Sequence, residues 1–157
     1  VVSVSLRPKS SGLCFAAREL GMNKQQKIVS WILRIIGFSG MLAIGAVLMP
    51  FSWMLSIHEH LGLGKMPSEP IVEYLARSLS AFYAMVGVIF WYVSFRVPQY
   101  WDFVRMVAIL FIVFGGVLWW VDVKSQMPLL WTLQEAPPAI LVGLWMLYLH
   151  RQGSREL

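Results

Sequence analysis

The chain has 157 residues, of which 58% are hydrophobic and only 13% charged, with a formal net charge of +5. A soluble domain carries about 25% charged residues, so this deficit, with a mean hydropathy of +0.65, argues against a water-soluble globular protein. A single cysteine, Cys14, excludes an intramolecular disulfide and any CxxC redox motif.

The first 21 residues, VVSVSLRPKSSGLCFAARELG, hold no apolar run long enough for a signal-peptide core. Met22 stands directly ahead of the first apolar segment and is the expected translation start. Residues 1–27 are expected to form a disordered basic tail. Cys14, inside it, is assigned no role.

Four long segments nearly free of charge follow, at 28–54, 71–95, 103–121 and 129–149. Each is close to the roughly 20 residues that a helix needs to cross hydrocarbon. A transmembrane barrel would show alternating stretches of about ten residues instead. Nothing alternates. The expected fold is therefore all-α: a polytopic membrane protein, an antiparallel four-transmembrane-helix bundle running up-down-up-down, with a tail at 151–157.

In lipid, helices meet through small residues that let backbones approach. Segment one offers Gly37, Gly40, Ala43 and Gly45; segment two offers Ala76, Ser80, Ala84 and Gly87; segment three offers Gly115 and Gly116. Short turns should place sequential helices side by side. Pro50 is expected to bend segment one, and Pro98 to end segment two. Pro137 and Pro138 are expected to kink or interrupt segment four. MPLLWTLQEAPP would then be a short interfacial helix.

Lys and Arg resist translocation and mark cytoplasmic loops. Arg7, Lys9, Arg18, Lys24, Lys27, Arg34, Arg96, Arg105, Arg151 and Arg155 fall on one side, against Lys65, Arg77 and Lys124 on the other. Both termini are expected to be cytoplasmic, in a bacterial inner membrane. Tryptophans prefer the headgroup level, and all eight lie near segment ends. The positive charge thus reads as topology rather than as a nucleic-acid surface. The bilayer is the expected partner, together with another membrane protein or a second copy of the chain.

Two constellations carry candidate chemistry. The first is His58, Glu59 and His60 in SIHEHLGLGKMPSEP. Zinc proteases use H-E-x-x-H because i, i+4 spacing puts both imidazoles on one helical face. Two residues apart on a helix they would diverge by about 200°, so HEH is expected to be a solvated outer loop. It remains a weak metal candidate, with Glu69 or Glu73 as a third ligand.

The second constellation lies inside the apolar segments. Glu73 and Arg77 are i, i+4 with the acid first, the favourable order for a helical ion pair. Arg77 lies roughly 9 Å along the helix from Ile71, at about 1.5 Å per residue. Exposure to lipid there is costly, so contact with Glu73, Glu135 or both is expected. Asp122 and Glu135 fall at the same outer level. One reading is a bundle-locking ion pair; the other is a proton or small-solute site built from Glu73, Arg77, Asp122 and Glu135. Arg34 is expected to carry its charge to the headgroups on its long stem.

The stretches EYLARSLSAFYA (73–84) and MPLLWTLQEAPP (127–138) resemble those of a group of uncharacterised four-helix bacterial membrane proteins. The layout is also similar to DoxX-like proteins, a resemblance that implies a membrane subunit linked to redox complexes. Neither likeness carries over a catalytic residue or a cofactor. Small multidrug transporters share the four spans but place a glutamate where this chain has Arg34. The leading expectation is a non-enzymatic inner-membrane subunit or scaffold. A small-solute or proton-coupled carrier comes second, and a metal-dependent site at HEH third.

Overall fold

The computed structural model describes residues 21–62 and 64–155. Cys14 and most of the expected tail lie outside the described residues, as does the question of the start at Met22. Every regular element among the described residues is an α-helix.

Helix α1 (Lys24–Leu42) begins earlier than the sequence suggested. The Asn23 side chain accepts from the Gln26 amide at 2.9 Å, and the Gln26 side chain accepts from the Asn23 amide at 3.2 Å. This reciprocal capping box satisfies two orphan donors. Gln25 and Gln26 are buried. Residues 24–27 are therefore the first turn of α1 and not part of a disordered tail. A tighter turn, with Ala43 N donating to Gly40 O at 3.1 Å, separates α1 from α2 (Ile44–Leu48). At Met49 the chain becomes extended, and Pro50 has no N–H to continue the ladder. Helix α3 (Phe51–His60) then restarts. The first apolar segment is broken at Met49–Pro50 rather than bent, and HEH closes a helix rather than lying in a loop.

Helix α4 (Pro70–Ser94) has proline at its first position, where the missing N–H costs nothing. A turn at 95–100 leads to α5 (Trp101–Lys124), and α6 (Leu129–Gly153) follows. Pro137 and Pro138 lie inside α6 without interrupting it, which corrects the expected separate interfacial helix. The prolines remove the bonds that the carbonyls of Leu133 and Gln134 would accept. Packing holds the helix across the gap: Ala136 is fully buried, and α6 lies along α5 on both sides of it.

The segments Lys24–Leu48, Pro70–Ser94 and Trp101–Lys124 are each long and apolar enough to cross a membrane. Helix α6, the expected fourth crossing, carries Gln134, Glu135, His150 and Arg151 and falls outside that group.

The helices associate as two antiparallel pairs. In the α1/α4 pair, a Cβ on Gly87 would sit 2.6 Å from Met41 N and 2.7 Å from Gly37 O. The backbones touch, as small-residue packing requires. In the α5/α6 pair, a Cβ on Gly143 would sit 2.7 Å from Ala108 O. The pairs join at the end that holds Asn23, the 95–100 turn and Gly153. There Val29, Leu33, Val97, Val104 and Met146 form a core with almost no exposure. Ser30 Oγ donates to Ser94 O at 2.6 Å, and Asn23 Nδ2 donates to Gly153 O at 3.5 Å.

Away from this near end the consecutive helices α4 and α5 meet only lightly, with the Phe90 and Phe111 rings 5.9 Å apart. Between α1, α4 and α5 lies an apolar groove of about 960 Å³, lined among others by Ile36, Tyr83, Phe90, Met106 and Phe114. Sequential adjacency therefore does not extend to α4 and α5. The small residue of α4, Gly87, packs against α1, and its bulky Phe82 and Tyr83 are half exposed.

Candidate functional site

The polar residues expected in one cluster fall into two groups. The first forms around the break between α2 and α3. Because α2 stops at Leu48, the carbonyls of Val47 and Met49 lose their helical partners. Arg77, on α4, supplies them. Its Nη1 donates to Val47 O and its Nη2 to Met49 O at 3.2 Å. Its Nε donates to Glu73 Oε1 at 2.9 Å, and Nη2 lies 2.8 Å from the same oxygen. The carboxylate orients the guanidinium, and the guanidinium caps the broken helix.

The second group lies on the other helix pair. Asp122, near the end of α5, is 5% exposed, and its Oδ2 has no hydrogen-bond partner among the described residues. Glu135, half-buried on α6, is close enough for the two carboxylates to repel. Among the described residues no ion pair joins Arg77 to Asp122 or Glu135.

His58, Glu59 and His60 are successive residues of the last turn of α3, with Glu59 and His60 exposed. His58 Nδ1 lies 3.1 Å from Gly64 O. Among the described residues no three His, Cys, Asp or Glu side chains come together as a metal site. Arg34 lies over the Phe95 ring, 4.6 Å from its centroid.

Sequence reasoning read Arg105, Arg151 and Arg155 as topology signals alone. The structure places them around one concavity of about 530 Å³ between the start of α5 and the end of α6. Asp102, His150 and Ser154 complete its polar wall. The Trp101 indole stacks on the His150 ring, with centroids 4.8 Å apart, and donates to Ser154 Oγ at 3.0 Å. Arg151 lies in the last turn of α6 and Arg155 in the turn just past it, so the sequence signal is only their closeness at the chain's basic end.

Fold and composition define an α-helical protein with three helices suited to membrane insertion. The chain matches no protein-family model, no curated protein and no solved structure.

Proposed function

We propose that the chain is a non-enzymatic, four-pass protein of a bacterial inner membrane, with both termini cytoplasmic, serving as a subunit or scaffold of a membrane complex. In this reading residues 129–149 of α6 are the fourth crossing. Packing on α5 partly covers Glu135, the one formal charge within this crossing. The likeness to four-helix bacterial membrane proteins, loosely DoxX-like, is part of the proposal.

The observation that carries it is the engagement of Arg77. A carrier built on Glu73, Arg77, Asp122 and Glu135 needs its cation free to meet a solute or proton. Here the guanidinium is held by Glu73 and by the carbonyls of Val47 and Met49, an arrangement suited to holding helices together. The buried, unpartnered Oδ2 of Asp122 beside Glu135 favours the carrier as a second reading, with proton exchange at these carboxylates. The test is reconstitution of the purified chain into liposomes with an internal pH dye, alongside native electrophoresis of solubilised membranes. Migration in a defined larger complex, with no proton flux from the isolated chain, is expected. Flux that disappears in Asp122→Asn would replace the scaffold reading with the carrier.

A further inference from the structure

We propose that the concavity between the start of α5 and the end of α6 binds the phosphate of an anionic phospholipid through Arg105, Arg151 and Arg155. An acyl chain would descend along Ile109 and Leu147. This inference rests on the chain being embedded in a bilayer.

The order of residues along the two helices carries the argument. On α5, Arg105 is followed one turn deeper by Ile109; on antiparallel α6, Arg151 is preceded one turn deeper by Leu147. Four residues span about 6 Å of helix axis, so each helix presents a guanidinium at the rim and an apolar side chain below it. All four line the same space, together with the exposed Arg155. A free phosphate needs only the rim; a headgroup with its chains uses both levels.

Charge points the same way. Among the described residues that line it, three arginines stand against one carboxylate, Asp102. Arginine offers planar, paired donors that match phosphate oxygens. Tyr100, the residue before α5, makes no side-chain cap, so the first amides of the helix also favour an anion. The polar wall is built rather than open: His150 is 7% exposed, is stacked on Trp101, and its Nε2 has no hydrogen-bond partner among the described residues.

The test uses the full chain in nanodiscs of mixed phosphatidylglycerol and phosphatidylcholine, with retained lipid measured by mass spectrometry after detergent extraction. Preferential retention of phosphatidylglycerol is expected, falling about tenfold in Arg105→Ala/Arg151→Ala, a loss of about 1.4 kcal/mol in binding. Arg96→Ala serves as control, because Arg96 lies near the same end with its guanidinium over the Tyr92 ring. Its lipid retention should not change. If the double variant fails to incorporate, Arg155→Glu at an exposed position gives the same readout. Equal retention of both lipids, or an equal loss in Arg96→Ala, would overturn the site. Saturable binding of inorganic phosphate in purely zwitterionic discs, with no lipid preference, would overturn the lipid assignment in favour of free phosphate. A chain that enters neither kind of disc overturns the membrane reading itself, and that result is distinct from insertion without selectivity.

Discussion

The guanidinium of Arg77 donates to the carbonyl of Met49 at 3.2 Å, which ties α4 to the break between α2 and α3. Arg77→Ala removes donors from both Val47 O and Met49 O. Both acceptors are partly buried, so each sits toward the low end of the about 1–3 kcal/mol that an unsatisfied buried acceptor costs, and thermal unfolding in a fixed detergent should show a loss of about 2 kcal/mol for the two together. Arg77→Lys should recover less than half, because one ammonium cannot hold Glu73 and two carbonyls in the same geometry. Adding Glu135→Gln to Arg77→Ala should restore nothing, since Glu135 belongs to the other helix pair. A clear recovery in that double variant would mean that the two charges are coupled.

Gly87 and Gly116 offer a matched comparison. A Cβ at Gly87 meets the backbones of Met41 and Gly37 within 2.7 Å, whereas one at Gly116 meets nothing within 4 Å. Overpacking of this kind costs about 1–3 kcal/mol, so Gly87→Ala should lower the unfolding midpoint. Gly116→Ala should leave it unchanged or raise it, because alanine is the better helix former. Midpoints that move together would contradict the packing of α1 on α4.

The proposed orientation is checked by fusions to a reporter that is active only in the periplasm. Fusions at Lys65 and Lys124 should be active, and one at Gln99 silent. Activity at Gln99 would reverse the topology.

Replacing His58 and His60 together with alanine should change neither bound metal nor stability, because the two rings belong to different faces of α3. Elemental analysis of the purified protein decides this. Stoichiometric zinc lost on double substitution would establish a site at HEH.

His150, just past the proposed fourth span, has its pKa lowered. Burial is the main cause, Arg105 adds to it, and Asp102 and a backbone contact with Trp101 oppose it. Arg151 and Arg155 share the same concavity. The unfolded chain therefore binds a proton more readily than the folded one. Stability should be full above about pH 6.5 and decline as pH falls below it, the expected direction for a depressed histidine. His150→Gln should flatten that part of the profile in pH-dependent unfolding.

What the sequence made legible was governed by local physics. Apolar length fixed the helices, and i, i+4 spacing placed Glu73 against Arg77. Cationic asymmetry drew together the ends that meet at Asn23, Gly153 and the 95–100 turn. The remainder depended on partners with no local signature. The Val47 and Met49 carbonyls look like any others until Pro50 breaks the ladder beside an arginine from another helix. Pro137 and Pro138 read as a break because proline chemistry is local, while the packing of Ala136 on α5 that sustains α6 is not. The assignment of Asp122 and Glu135 to a group without Arg77 followed from which helices pair, and hydropathy carries no such information.

The near-end core has a consequence for the order in which the molecule opens. All four long helices contribute to it, through Val29, Leu33, Val93, Val104, Met146 and Leu149, while toward the far end each pair is held chiefly by its own partner. Free energy of local opening follows the density of such buried contacts. Amide hydrogen exchange should therefore run as a gradient along each helix. Protons near Leu33, Val104 and Met146 should be retained longest, and those of α3 and the last turns of α5 should exchange first. The slowest amides would then lie toward the end that holds Asn23, the 95–100 turn and Gly153, rather than at the helix midpoints.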